Sequence, residues 1–213
     1  KFKYKLFGRF RGRKRSQPLD VSYMNDYEIS IKTDINKNNF NILDIGSGSG
    51  ENAIHLSKLK PKSNIFTCEI FEDGNINLVN QIIKNNIKNI KLFKGNVLEF
   101  LDNINLDYYL NEVWLFFPDP WPKIRHHKRR LINLNFLKII SSHLKKGGKI
   151  FIATDSASYT HSILNVINSS QDHFFWENQR LEYWKYAILN LPETKFFKKA
   201  QKSNRNSIIF ELR

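Results

Sequence analysis

The chain has 213 residues, of which 41% are hydrophobic and 25% are charged, and its net charge is +14. This composition excludes disorder along the whole chain, and no apolar run approaches the roughly 20 residues of a membrane-spanning helix. The single cysteine, Cys68, excludes an intrachain disulfide and favours a reducing, cytoplasmic location. The basic start of the sequence has no apolar segment after it, so we expect no secretory signal.

The N-terminal segment differs in composition from the rest. Residues 1–15 hold 8 basic residues and no acidic one. Four aromatic residues are interspersed with these cations: Phe2, Tyr4, Phe7 and Phe10. This mixture suits contact with phosphates and bases, whereas a leader peptide is the alternative that Gly8 and Gly12 disfavour. We predict a basic arm over residues 1–30 and a single domain over residues 31–213.

From residue 40 onward, short apolar runs alternate with segments of helical periodicity. The predicted strands are Phe40–Ile45, Ile65–Ile70, Ile90–Phe93, Val113–Phe117 and Lys149–Thr154. The predicted helices are Glu51–Leu59, Asp73–Asn86 and Arg129–Lys146, the last closed by Gly147 as its C-cap. This alternation predicts a doubly wound, mostly parallel α/β sheet. The last run, Ser207–Leu212, is predicted to be an antiparallel edge strand.

Polar residues follow the predicted strands at the edge of the sheet where such folds bind ligands. In chain order they are Asp44 with Gly46, Gly48 and Gly50, then Glu69, Asn96, Asp119 and Asp155. The glycine spacing is G-x-G-x-G, which differs from the dinucleotide pattern G-x-G-x-x-G. Because Asp44 and Glu51 flank this loop, an anion would be repelled there. A plain turn remains the alternative to a ligand site.

Acids beside a glycine loop suit a cationic, hydroxyl-rich ligand, and S-adenosylmethionine has both properties. Glu69 is placed to accept hydrogen bonds from its ribose diol. Asn96 is placed to hold the amino edge of its adenine. The sequence therefore predicts an S-adenosylmethionine site at this edge of the sheet.

The segment FFPDPWPK, residues 116–123, is the most distinctive local pattern. Its three prolines fix their own φ angles and predict extended conformations at Phe117, Asp119 and Trp121. Such stiffness would pre-organise Asp119 and present Trp121, although a rigid structural turn is the alternative. A purely structural turn, however, would not need an acid between two prolines.

Two further segments, 123–130 and 195–205, hold 5 basic residues each and no acidic one. Clustered cations on an otherwise slightly acidic chain are typical of a surface that binds a polyanion. Adjacent His126 and His127 would face apart on an extended chain, so we expect no metal site there. RNA phosphate contact is the favoured interpretation.

The string PDPWPK followed by RHHKRR resembles the tRNA (guanine-N7-)-methyltransferase family. LDIGSGSG, the ATD at residues 153–155, LPETKF at residues 191–196 and the N-terminal FGRFRGRKRSQ match it in the same order. The resemblance implies a Rossmann-like, class I methyltransferase fold with seven strands. It also implies methyl transfer from S-adenosylmethionine to a variable-loop guanosine of tRNA, with S-adenosylhomocysteine as the other product.

The resemblance also implies roles for individual residues. Cofactor contacts are implied for Asp44, Glu69, Asn96 and Asp119. Substrate contacts are implied for Lys123, Asp155, Thr194, Lys195 and Phe196, and RNA contacts for Arg125, His126, His127, Lys128, Arg129 and Arg130. Two positions depart from the family pattern, because Asn96 stands where an acid is common and Phe197 where Glu is usual.

The chemistry agrees with these roles. Guanine N7 already exposes a lone pair, so no proton has to leave before methylation. Asp119 is therefore expected to position groups and to stabilise charge more than to act as a base. Two alternatives are a nicotinamide-dependent oxidoreductase and a noncatalytic RNA-binding module. We expect tRNA as the partner, no membrane or metal, and either a monomer or a homodimer.

Overall fold

A computed structural model describes residue 7 and residues 22–29, 36–104, 109–177, 180–185 and 191–213. The chain divides into two compact units, Lys1–Tyr109 and Leu110–Arg213. Most of the predicted basic arm, including all of residues 1–15 except Phe7, lies outside the described residues.

The first unit contains three parallel strands and three α-helices among its described residues. The strands are β1 (Asn41–Ile45), β2 (Asn64–Cys68) and β3 (Ile90–Phe93). The helices are α1 (Glu51–Leu59), α2 (Glu72–Lys84) and α3 (Val97–Asn103). Pairing of Ile45 with Cys68, and of Cys68 with Phe93, aligns the carboxyl ends of the three strands. The three predicted strands are confirmed, and α1 begins and ends where the sequence predicts.

The last part of the predicted arm, residues 22–29, is attached to this unit. A short 3₁₀ helix, Ser22–Tyr27, places Met24 against the buried side chains of Val79 and Leu92. Glu28 then forms a parallel bridge with Leu92 of β3. The arm therefore enters the first unit beside β3.

In the second unit, the described residues form two parallel strands and one antiparallel strand. The strands are β4 (Leu110–Phe116), β5 (Leu144–Thr154) and β6 (Ile208–Leu212). The helices are α4 (Leu134–His143), α5 (Ala157–Asn168) and α6 (Lys195–Lys202), with 3₁₀ helices at Ile124–Arg129 and Leu181–Trp184. β4 runs parallel to β5, and β6 pairs antiparallel with β5. The mostly parallel sheet with an antiparallel C-terminal strand is thus confirmed.

Six strands, and not the expected seven, occur in the described part of the chain. β6 also forms single antiparallel bridges, from Leu212 to Trp176 and from Ile208 to Lys185. These bridges give β6 neighbours beyond β5. The longest described helix, α2, has 13 residues, and no described helix is long and apolar enough to cross a membrane.

The helix predicted over Arg129–Lys146 is wrong at both ends. The Asn133 Oδ1 accepts the Phe136 N–H at 3.0 Å, and this cap starts α4 at Leu134. At the C-terminal end, α4 stops at His143 and strand β5 begins at Leu144. Gly147, with φ +76°, lies inside β5 where its register with β4 shifts, so it is a strand irregularity and not a C-cap.

Candidate active site

The glycine loop after β1 is tied to the end of β2. The Gly48 N–H donates to Glu69 Oε2 at 2.9 Å, and the Gly46 N–H donates to the Cys68 carbonyl at 2.8 Å. The Phe71 N–H donates to Glu69 Oε1 at 2.8 Å. Backbone amides therefore orient both carboxylate oxygens, and each oxygen retains acceptor capacity for a ligand hydroxyl.

Asp44 is a buried acid near the end of β1, only 2% exposed. Its Oδ1 accepts a hydrogen bond from Asn52 Nδ2 at 2.9 Å, whereas Oδ2 has no partner among the described residues. The pKa of Asp44 is raised to about 7, mainly because the side chain is buried; the Asn52 hydrogen bond lowers it in part, and the charge of Glu69 raises it. A buried acceptor without a partner is costly, and a ligand cation or hydrogen-bond donor would satisfy it.

Two of the three glycines leave bare backbone facing open space. Gly46 and Gly48 have φ angles of +68° and +55°, and a Cβ at either would meet no atom within 4 Å. Gly50 differs, because its Cβ would lie 2.3 Å from Leu78 Cδ1. The first two glycines thus leave room for a ligand, and the third permits close packing against α2.

Asn96, three residues beyond β3, is the N-cap of α3. Its Oδ1 accepts the Leu98 N–H at 2.9 Å, which fixes the direction of the carboxamide. A carboxamide can also donate through Nδ2, which a carboxylate cannot do. Asn96 therefore offers a base edge both a donor and an acceptor.

In the second unit, the proline-rich segment after β4 is held at both ends. The Phe117 N–H donates to the Ala153 carbonyl at 2.8 Å, and the Pro120 carbonyl accepts from Arg130 Nε at 2.9 Å. Asp119 lies between these two points and is exposed. Partial burial of its carboxylate by neighbouring atoms nevertheless raises the pKa of Asp119. The segment presents one acid from a restrained backbone.

The extended conformations predicted before two of the prolines are wrong. Phe117 and Trp121 have φ angles of +51° and +44°. Bulky residues seldom adopt positive φ, so surrounding contacts have to hold them there. For Trp121, the Arg129 guanidinium lies 4.9 Å above the indole ring, and the His126 ring meets it edge-on at 5.9 Å.

The basic segment beside this loop is a 3₁₀ helix, Ile124–Arg129. Lys123, Arg125 and Lys128 are exposed, whereas the other predicted contacts, His126, His127 and Arg129, are half-buried. Partial desolvation and the nearby cations Arg129, Lys123 and Lys128 lower the pKa of His126. At neutral pH His126 therefore adds little charge to this surface.

Arg130 occupies a different place from the rest of its segment. It is 5% exposed and its guanidinium points into the second unit. Nη1 and Nη2 donate to the Ser158 carbonyl at 3.2 Å and to Ser158 Oγ at 2.9 Å, in addition to the Nε bond with Pro120. The guanidinium also lies 4.9 Å above the Tyr159 ring. These contacts place Arg130 away from the exposed basic surface.

The start of α6 carries the second group of predicted substrate residues. Thr194 is the N-cap, and its Oγ1 accepts the Phe197 N–H at 3.2 Å. Lys195 is exposed, and the half-exposed Phe196 ring lies 6.3 Å from the Phe117 ring. Phe197 is buried, so this position contributes to the core.

Asp155, directly after β5, pairs with Arg205 at 2.9 Å. Arg205 belongs to the third basic segment, so one cation of that segment is bound to an acid. Sequence reasoning missed this partner. It also missed Asn52, Ser158 and Tyr159, although a polar residue such as Asn52 on the buried face of α1 is a readable signal.

Similarity to solved structures defines the class of fold. A "SAM dependent methyltransferase" from Aquifex aeolicus superposes with a TM-score of 0.54 at 11% identity, covering 92% of this chain and 98% of that chain. The alternating α/β fold is therefore shared with that solved structure.

The chain belongs to the family described as "Putative methyltransferase", whose model matches residues 38–210. A relative from Buchnera aphidicola subsp. Schizaphis graminum, named tRNA (guanine-N(7)-)-methyltransferase, is 35% identical over 176 residues, or 81% of this chain and 72% of that protein. A Corynebacterium diphtheriae protein of the same name is 38% identical over 127 residues, or 60% of this chain and 49% of that protein. The match with the latter thus spans about half of the relative's length.

The family implies S-adenosylmethionine, and the residues of the first unit fit it. Gly46 and Gly48 leave space beside bare backbone. Asp44 Oδ2 has no hydrogen-bond partner in the described part of the chain, and the Glu69 carboxylate is already oriented. These groups suit a cationic ligand that carries a ribose diol, and their individual contacts with it stay predictions.

Proposed function

We propose that the chain methylates N7 of a guanosine in the variable loop of tRNA, with S-adenosylmethionine as methyl donor. The observation that carries this proposal is the 35% identity, over 81% of the chain, to a tRNA (guanine-N(7)-)-methyltransferase. The oriented acids of the first unit and the exposed cations of the second support it. We place the reaction in the cytoplasm, where tRNA is the partner.

In this proposal the first unit holds the cofactor. Glu69 accepts hydrogen bonds from the ribose diol, because backbone amides already direct its oxygens. Asp44 provides a buried acceptor for a positively charged or N–H group of the cofactor. Asn96 pairs with the adenine edge, and Gly46, Gly48 and Gly50 shape the loop. When bound, the cofactor supplies a methyl group on a sulfonium centre.

Asp119 and Asp155 serve the guanine. The N7 lone pair needs no general base, but the purine acquires a positive charge as its N7–methyl bond forms. A carboxylate held beside the ring stabilises that charge, and a restrained backbone keeps the carboxylate in place. Asp119 has this restraint from both ends of its segment. We therefore assign Asp119 the main electrostatic role and Asp155 a substrate contact.

The RNA contacts lie on the second unit and on the basic arm. Lys123, Arg125, Lys128 and Arg129, together with His126 and His127, form a basic surface next to Trp121. Thr194, Lys195 and Phe196 supply contacts from α6. Phosphate contacts of this type fix register without reading sequence, whereas exposed rings can stack on unpaired bases.

The decisive experiment uses unmodified tRNA transcribed in vitro and S-adenosylmethionine labelled on the methyl group. After digestion to nucleosides, the label should appear in 7-methylguanosine. A transcript with 7-deazaguanine, which lacks N7, is the matched control and should remain unlabelled. Label in another nucleoside would assign a different methylation, and tRNA binding without label would favour a noncatalytic RNA-binding module.

A further inference from the structure

Arg130 is a buried cation held by neutral groups. Its hydrogen-bond partners are the Pro120 carbonyl, the Ser158 carbonyl and the Ser158 hydroxyl, at 2.9, 3.2 and 2.9 Å. The Tyr159 ring covers one face of the guanidinium. A planar fork of donors is the geometry that serves several fixed acceptors at once, and the point charge of lysine cannot reproduce it.

These bonds join three separate segments of the second unit. Pro120 belongs to the segment after β4, and Ser158 lies in the first turn of α5. The Tyr159 hydroxyl accepts the Ile132 N–H at 3.1 Å, which adds the segment ahead of α4. The Arg130 side chain links these segments, and it is buried and not part of the exposed basic surface.

The segment on which Arg130 acts carries Asp119. Its other end is fixed by the 2.8 Å bond from the Phe117 N–H to Ala153. Pro118 and Pro120 fix their own φ angles, so few backbone rotations remain between the two ends. Asp119 also lies near enough to Tyr159 for its charge to add to the burial that raises the pKa of Tyr159 to about 12. Loss of Arg130 would release one end of the segment.

We propose that Arg130 is a positioning residue that holds the Phe117–Pro120 segment, and with it Asp119, in the geometry needed for methyl transfer. The proposal rests on the function proposed above for Asp119. It also separates Arg130 from its neighbours in sequence, which contact RNA in that scheme.

Kinetics distinguish positioning from RNA contact. In Arg130→Met and Arg130→Lys, turnover should fall by about 10- to 100-fold, because a small misplacement of a reacting group costs up to about 100-fold. The KM for tRNA and the Kd for S-adenosylmethionine should change less than about threefold. Ser158→Ala is a milder change that removes one of the three Arg130 hydrogen bonds and a 3.4 Å contact with Ser156 Oγ, and it should show a smaller loss in turnover. Arg213→Met, which alters an exposed arginine of the same unit, is the matched control.

A second measurement needs no activity. Incorporation of 5-fluorotryptophan gives a fluorine resonance for Trp121, assigned by its loss in Trp121→Phe. That resonance should shift or broaden in Arg130→Met and Ser158→Ala but not in Arg213→Met. Wild-type turnover in the Arg130 and Ser158 variants, or a defect confined to the KM for tRNA, would overturn the proposal. If the wild-type protein fails to methylate tRNA, the proposed function is wrong. An unchanged Trp121 resonance in Arg130→Met and Ser158→Ala would separately refute the restraint by Arg130.

Discussion

The Gly48 amide and the Glu69 carboxylate are joined by a 2.9 Å hydrogen bond. This bond couples the loop after β1 to the acid after β2, and the Phe71 N–H holds the other oxygen of the same carboxylate. The pair therefore behaves as one structural group. Changes at Glu69 remove ligand acceptors and alter the loop geometry, whereas a side chain added at Gly48 occupies the space beside the loop and strains its backbone.

Glu69→Ala should lower the affinity for S-adenosylmethionine at least about tenfold. Hydrogen bonds to a charged group contribute about 1.5–3 kcal/mol, and about 1.4 kcal/mol corresponds to a factor of ten. Isothermal titration calorimetry measures the change. Asp26→Ala, at an exposed acid of the same unit, should bind as the wild type does. Equal affinity in the Glu69 variant would contradict the ribose assignment.

Gly48→Ala should abolish most cofactor binding, because the added methyl group enters the space beside the loop. Its positive φ of +55° adds strain, which costs roughly 1–2 kcal/mol. Gly147→Ala is a close control, since Gly147 also has positive φ, +76°, and no atom near its Cβ position. Both variants should lose similar stability in urea unfolding. Only Gly48→Ala should lose binding, and equal affinity in the two variants would refute the loop as the cofactor site.

Asp44 should make the stability of the cofactor-free protein depend on pH. Its folded pKa is about 7 and its ordinary value is 3.8, so between these values the folded state keeps a proton that the unfolded state has released. Stability should therefore decline as pH rises from about 4 to about 7. Urea unfolding of wild type and Asp44→Asn at several pH values isolates this contribution, which the variant should lack. Parallel curves for the two proteins would contradict it.

Asp119→Ala should leave the melting temperature nearly unchanged, because Asp119 is exposed, and should reduce turnover by about 100-fold or more. Asp119→Asn distinguishes the two roles of the side chain. If charge is needed, Asn will resemble Ala; if only hydrogen bonding is needed, Asn will keep much of the rate. Wild-type turnover should also decline as pH falls through the raised pKa of Asp119. Full activity of Asp119→Ala would show that Asp119 does not have the electrostatic role, and Asp155 would become the candidate for it.

Arg125→Glu and Lys128→Glu should weaken tRNA binding without affecting cofactor affinity. Both side chains are exposed, so reversal of their charge tests the surface and not the fold. Each lost phosphate contact should reduce the slope of log affinity against log salt by about 0.7–0.9. Lys84→Glu makes the same charge change at an exposed site of the first unit. Identical salt slopes in all four proteins would mean that this segment does not contact RNA.

Periodicity predicted most elements because apolar runs mark the buried strands directly. It failed at α4, where the pattern of apolar residues continues past both ends of the helix. The Asn133 side chain fixes the first residue of α4, and the pairing of β5 with β4 fixes its last residue. Neither determinant is visible in hydrophobic spacing, since one is a single hydrogen bond and the other is a contact distant in sequence.

For the candidate site, sequence alone located the acids but not their partners. Arg130 illustrates the reason. The run of cations at residues 123–130 predicts one exposed surface, but the last cation, Arg130, is buried and donates a hydrogen bond to Ser158. The partner lies 28 residues away. The conformations of Phe117 and Trp121 were missed for a similar reason, since local proline rules disfavour the positive φ that surrounding contacts impose.

The three prolines after β4 also decide which experiments can observe this segment. Pro118, Pro120 and Pro122 carry no amide hydrogen, and the amide of Phe117 is bonded to Ala153. Hydrogen-exchange mass spectrometry therefore has few reporting amides here, whatever the segment does. The unbroken run of amides starts at Lys123. Protection by RNA that begins at Lys123 would therefore mark only the start of that run, and the true edge of the footprint would have to be found with side-chain probes.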